Sequence, residues 1–297
     1  MLLIIWLHSL KSQSADFDVP HVSHERFENK HETRKNKLGD GCYHVFLDVG
    51  ANIGVHSRFL YEPDSYPDAR IARSIFGKEF GASRDNRDFC VFAFEPNPNH
   101  FARHVKLTKH FEKLGVRYYH LPVAVSDSDG FIFFYHNKDD RDEEIGFGDH
   151  QLLGARGNAV EEMVPKIRLA DWIMDEIHER KLPTKVFGNY SDINPKDGPK
   201  VVMKMDIESQ EYAVLPDLMF SGVLCKTIDY VFGEFHIWWV RYEPGPSGRG
   251  GLNLERGEDG RNFVKQLLRS FHSVKNCVTS EISPGDDESH LHDGIPL

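Results

Sequence analysis

The chain has 297 residues, a formal net charge of −10 at pH 7 and 40% hydrophobic residues, with 21 Phe and 10 Tyr. That is enough apolar material for a core in one large domain or two small ones, and it excludes global disorder. A nucleic-acid backbone calls for a basic footprint, so no nucleic acid is expected as partner, and a small or neutral substrate fits better.

Residues 1–10, MLLIIWLHSL, are apolar. They fall short of the about 20 residues that span a bilayer. Two readings stand. They are the remnant of a signal or anchor, and so a membrane tether, or a loose N-terminal segment; neither a basic start nor a clear cleavage site decides. The compartment is therefore open: cytoplasmic, or secretory and membrane-anchored if a signal anchor is present. Residues 11–40 are polar and aperiodic and complete a leader over 1–40. Cys42, Cys90, Cys225 and Cys277 are far apart and form no C-x-x-C pair. A zinc site, or any metal, is not expected. Cys42 and Cys90 flank predicted strands and read as buried thiols rather than a disulfide. A sequon, Asn189-Tyr190-Ser191, lies in a polar linker and is usable in a secretory compartment.

A single domain is expected over 41–280. It opens with Phe46-Leu47-Asp48-Val49-Gly50-Ala51-Asn52-Ile53-Gly54, an apolar run ending in an acid and a glycine-bearing turn. This predicts a strand over 43–49 and a helix from Asn52 to about Tyr61. The glycines allow positive φ and close approach of a ligand, and the helix start offers free N–H groups. The spacing Gly50-x-x-x-Gly54 is neither the dinucleotide fingerprint G-x-G-x-x-G nor a P-loop. An acid at the strand tip, this turn and a second acid after the next strand suit S-adenosylmethionine; an ordinary strand-to-helix turn is the plainer alternative.

Residues 62–88 are polar and punctuated by Pro and Gly, with a short amphipathic helix predicted at 69–80. They look like an insertion beside the ligand loop, either a lid or a solvated excursion. Phe89–Glu95 is a continuous apolar strand ending in Glu95, as expected for a buried parallel strand. A helix over 98–113 follows, then a strand over 116–125 whose tip carries Ser126. Residues 130–135 predict a strand paired antiparallel across the turn Asp127–Gly130. Residues 137–162 read as loop, with the acidic run 139–144 as a solvated face. A helix over 169–180 and a Pro/Gly-rich linker over 182–199 come next.

Val201–Met205 is again an apolar strand ending in acids, Asp206 and Glu208, and a helix is predicted over 210–220. Asp48, Glu95, Asp206 and Glu208 would then share the carboxyl edge of one sheet, where doubly wound folds bind ligands. Glu208 and Glu211 equally suit the helix dipole. A strand over 228–236 puts Glu234 and His236 on one face, and His236 suits a general base, a packed residue or a substrate shelf. Residues 243–260 read as loop, 261–271 as an amphipathic helix and 281–297 as an acidic surface tail. The alternation of strands and helices predicts an α/β doubly wound, mainly parallel sheet, Rossmann-like, with helices on both faces.

Taken in order, FLDVGANIG, FAFEPNP, AVSD, VVMKMDIESQEYAVL and GEFH resemble the FkbM family of S-adenosylmethionine-dependent methyltransferases, over roughly 44–236. The resemblance implies a class I methyltransferase fold and O-methylation of a hydroxyl on a sugar, glycan or other small metabolite. It implies cofactor contacts at Asp48, Gly50, Asn52 and Gly54 in the loop, at Glu95 as the acid on the ribose, at Ser126 on the adenine side and at Asp206 at a strand end. His236, Asp206 and Glu208 are the candidates for taking the acceptor's proton. Two departures stand out: Ser209 replaces the family's usual glycine, and the 62–88 stretch lengthens the gap between Asp48 and Glu95. A catalytically silent binding or scaffold protein on the same fold is the competing expectation, and the oligomeric state is left open.

Overall fold

A computed structural model describes residues 36–81, 83–137, 159–190, 198–208, 210–234, 266, 277–279, 281–285 and 294–297. Among them, strand β1 (His44–Val49) leads to helices α1 (Val55–Tyr61) and α2 (Arg70–Phe80). β2 (Phe89–Phe94) leads to α3 (Phe101–Lys113), β3 (Arg117–Leu121), β4 (Ala124–Ser126) and β5 (Gly130–Asn137). Then come β6 (Ala159–Arg168), α4 (Leu169–Glu176), β7 (Val201–Met205), α5 (Glu211–Phe220), α6 (Val223–Thr227), β8 (Tyr230–Gly233) and β9 (Glu281–Pro284).

Six strands form one sheet in the order β3-β2-β1-β7-β8-β9, and every neighbouring pair is parallel. The chain enters at the middle, winds outward through β3, then returns beside β1 and winds the other way, which is the doubly wound arrangement. Alternation within each strand feeds two cores. Val45, Leu47 and Val49 of β1 join Trp172, Ile173, Leu215 and Leu224 on one face. Phe46 joins Phe59, Phe76, Leu107 and Phe111 on the other. Helices therefore cover both faces, and the α/β Rossmann-like expectation holds. A second sheet, in the order β4-β6-β5, packs the small cluster Ala124, Phe134 and Val164.

Several local expectations are corrected. The single strand over 116–125 is two, β3 and β4 in different sheets, parted at Pro122, which has no N–H to give a ladder. β5 pairs antiparallel with β6 rather than across the 127–130 turn. β6 begins inside the stretch 137–162 expected to be loop and runs on to Arg168; the pair Glu161-Glu162 and Pro165, in what is a central strand, argue against a strand from sequence. The 62–88 stretch is neither lid nor solvated excursion. Tyr66, Ala69, Ala72, Phe76 and Phe80 are all at most 1% exposed, and they build the core under β1 and β8. The helix expected over 169–180 ends at Glu176. Part of the expected surface tail is β9, the sixth strand, with Ile282 buried.

The cysteines are also corrected. Cys42 bonds Cys90, and Cys225 bonds Cys277. Parallel pairing of β1 and β2 brings the first two thiols together across 48 residues of chain, a proximity that spacing hides. Residues 1–35, the acidic run 139–144, His236 and the expected helix over 261–271 (apart from residue 266) lie outside the described residues. No helix among the described residues is long and apolar enough to cross a membrane.

Candidate functional site

The loop after β1 is strapped to both neighbouring strand ends. Toward β2, Gly50 and Ala51 donate their backbone N–H to the Phe94 carbonyl at 3.1 and 3.0 Å. Asn52, whose φ is 49°, donates its N–H to Oε2 of Glu95 at 2.7 Å. Asn97 N–H donates to Oε1 of Glu95, also at 2.7 Å, so one carboxylate gathers two loops. Toward β7, Asp206 N–H donates to the Val49 carbonyl at 3.0 Å. Nζ of Lys204, a side chain only 2% exposed, donates to the Gly50 carbonyl at 2.8 Å and to Oδ2 of Asp206 at 3.0 Å.

The glycines of this turn serve approaches within the protein. Gly50 has φ 78°, and a Cβ there would stand 1.8 Å from the Asp206 carbonyl oxygen. Gly54 has φ 77°, and a Cβ would meet Leu107 Cδ1 at 2.5 Å and the Tyr118 hydroxyl at 3.1 Å. At both glycines the close approach seen is to another segment of the same chain, and it holds the loop in one shape.

Beneath the loop lies a buried polar network. Asp48 is fully buried and its Oδ2 accepts from the Ser57 hydroxyl at 2.9 Å. Nε2 of His104 donates to the Asn52 carbonyl, and the Tyr118 hydroxyl donates to Nδ1 of His104, each at 2.7 Å; this tautomer follows from the carbonyl being acceptor only. Burial is the main force that pushes the His104 imidazole well below its ordinary value, with His120 adding to it, so the ring is neutral. Burial likewise pushes the Tyr118 phenol up.

Above the loop, at the point where the winding reverses between β1 and β7, is an open cleft with about 630 Å³ of empty space, its mouth included. Gly50, Asn52, Glu95, His100, Asp206 and Glu208 supply its polar wall, and Val123–Val125, Phe94 and Phe134 its apolar one. Of the sequence-predicted residues, Gly50, Asn52, Glu95, Asp206 and Glu208 thus meet in one place. Asp48 and Gly54 support the loop from below. Ser126 is buried and turned to Asp127 and Lys166, at 3.2 and 3.3 Å, while its neighbours Ala124 and Val125 face the cleft. His236 lies outside the described residues.

The two acids of the helix start separate cleanly. Glu211 is fully buried and its Oε1 accepts from Ile207 N–H at 2.7 Å, which is a capping role. Glu208 sits at φ 53°, a left-handed backbone uncommon for a residue other than glycine, and lines the cleft. Sequence reasoning missed Lys204, although a lone lysine in Val-Val-Met-Lys-Met with an acid two residues on was a usable signal. It also missed His100 and Phe134, for which no sequence pattern exists. No family model, curated protein or solved structure matches the chain.

Proposed function

We propose that the protein is an S-adenosylmethionine-dependent methyltransferase acting on a hydroxyl of a sugar, glycan or other small metabolite. The observation that carries this reading is the cleft at the β1/β7 reversal, walled by Glu95, Asp206 and Glu208 from the ends of β2 and β7. Three carboxylates with one buried lysine suit a ligand bearing an ammonium group and hydroxyls, and they disfavour the pyrophosphate of a dinucleotide. The apolar wall offers a flat base a place to lie. The FkbM resemblance in the ordered motifs adds to the same reading.

When bound, S-adenosylmethionine supplies an electrophilic methyl on a sulfonium. The chain's own residues would do the rest. Glu95 spends two acceptor sites on the N–H groups of Asn52 and Asn97 and keeps others for ligand hydroxyls. Asp206, held by Lys204 yet 26% exposed in its side chain, is oriented for an ammonium group. Glu208 is the described carboxylate best set to accept a proton from an acceptor hydroxyl. Orienting that hydroxyl and keeping water out supply most of the rate in such a displacement.

A silent binding module is the second reading. Its support is that Glu95 already works as a structural strap and Asp48 stays buried beneath the loop. Calorimetric titration with S-adenosylhomocysteine tests the cofactor, and labelled methyl donor offered with hydroxylated acceptors tests the chemistry. Micromolar binding that is lost in Asp206→Ala is the expected result. No binding by folded wild type would sink the methyltransferase reading, and binding without turnover would favour the silent module.

A further inference from the structure

Three histidines surround the tip of β2, and two of them are accounted for. Nε2 of His104 donates to the Asn52 carbonyl, and Nε2 of His120 donates to the Glu95 carbonyl at 3.2 Å. The third, His100, ends the short turn Pro98–His100 between β2 and α3 and is only 6% exposed. Neither of its ring nitrogens has a hydrogen-bond partner among the described residues. Its Nδ1 stands 3.7 Å from Oε1 of Glu95, too far for a hydrogen bond, and both side chains line the cleft.

A buried imidazole with both nitrogens unused costs stability and calls for an explanation, and a ligand in the cleft that the ring lines supplies one. Here the incomplete ring and a carboxylate with spare acceptor sites face the same corner of the cleft. Two adjacent hydroxyls would satisfy both: one donates to Glu95, the neighbouring one exchanges a hydrogen bond with the imidazole. The FkbM resemblance already implies that Glu95 holds the cofactor's ribose hydroxyls; we propose that His100 is a further contact of that subsite and takes up one of the two vicinal hydroxyls beside Glu95. The inference rests on the cofactor reading above, and it adds to it a residue that no motif marks.

The test compares wild type, His100→Leu and His100→Gln by calorimetry, with S-adenosylhomocysteine and its 2′-deoxy and 3′-deoxy analogues as probes. His100→Leu should bind S-adenosylhomocysteine about tenfold more weakly, the size of one lost hydrogen bond. One deoxy analogue should bind wild type and His100→Leu alike, because the contact is already missing. His100→Gln should recover most of the affinity. Removing an unsatisfied polar group should also leave the unliganded His100→Leu protein as stable as wild type or raise its Tm by about 2–4 °C. Equal affinity of His100→Leu and wild type for S-adenosylhomocysteine overturns the proposal. So does an equal loss for all three probes, which would mark a purely structural role. If His100→Leu does not fold, the same comparison of His100→Gln across the probes decides. Folded wild type that binds none of the probes would bring down the cofactor reading itself, and the subsite with it.

Discussion

Lys204 is where the two loops of the cleft meet. A buried amine is costly unless it is paired, and here it ties the Gly50 carbonyl to the Asp206 carboxylate. Lys204→Met keeps the volume and removes both bonds. Because Asp206 is partly exposed and regains water, the expected loss is about 2–3 kcal/mol in urea unfolding, below the full cost of breaking a buried pair. Affinity for S-adenosylhomocysteine should fall as well, since the loop and the acid lose their common anchor. At this scale the acids were legible in the sequence, because a carboxylate ending an apolar strand is rarely there for packing. Which acid faces the cleft was not legible. Asp48 and Asp206 end adjacent strands in similar contexts, and only the turn geometry, with Gly50 against the Asp206 carbonyl, puts one beneath the loop and the other beside it.

Among the elements, α2 is the one whose role differs most from its polar, punctuated sequence. Phe76 is fully buried, edge-on to Phe46 and to Phe232 at 5.0 and 5.9 Å. Phe76→Ala should therefore cost about 3–5 kcal/mol of stability while ligand affinity per folded molecule stays unchanged. A lid would give the reverse, with stability kept and affinity lost, so thermal unfolding and calorimetry on one variant separate the two. The parallel strands were readable because burial on both faces forces unbroken apolar runs such as Phe89–Phe94. The second sheet was not. β6 carries Pro165 and two adjacent glutamates, and its partner β5 lies across 21 intervening residues, so neither composition nor local turn chemistry reports the pairing.

The whole molecule should be acid-sensitive through His44, which opens β1. Burial, aided by Arg180, Lys200 and Arg84, holds its imidazole down at about 3, and the ring packs on Phe89 at 4.9 Å. The unfolded chain takes up a proton there near its ordinary value of 6.5, whereas the fold refuses it until about 3. Stability is then flat above that ordinary value and falls as pH drops from 6.5 toward 3. The size is about 3 kcal/mol by pH 4 from this group. His104, displaced in the same direction, adds to the slope. Melting temperatures between pH 8 and pH 4 check this, and His44→Gln should flatten the curve.

The two disulfides carry a consequence for where the proposed chemistry would operate. One closes the segment that holds the β1 loop with α1 and α2; the other closes the segment from α6 to the start of β9, which contains His236. Each encloses about 50 residues, and by loop entropy each is worth at most about 4 kcal/mol. Such bonds persist in oxidising surroundings and are rare where glutathione keeps thiols reduced. Chain made in an oxidising compartment should show no titratable thiol after denaturation, and dithiothreitol should lower its Tm. Four free thiols on active protein would contradict the pairing. If the proposed methyl transfer takes place in such a compartment, its donor and acceptor would both have to be delivered into that oxidising space, and supply across a membrane, rather than the cleft alone, would then be part of what sets the rate.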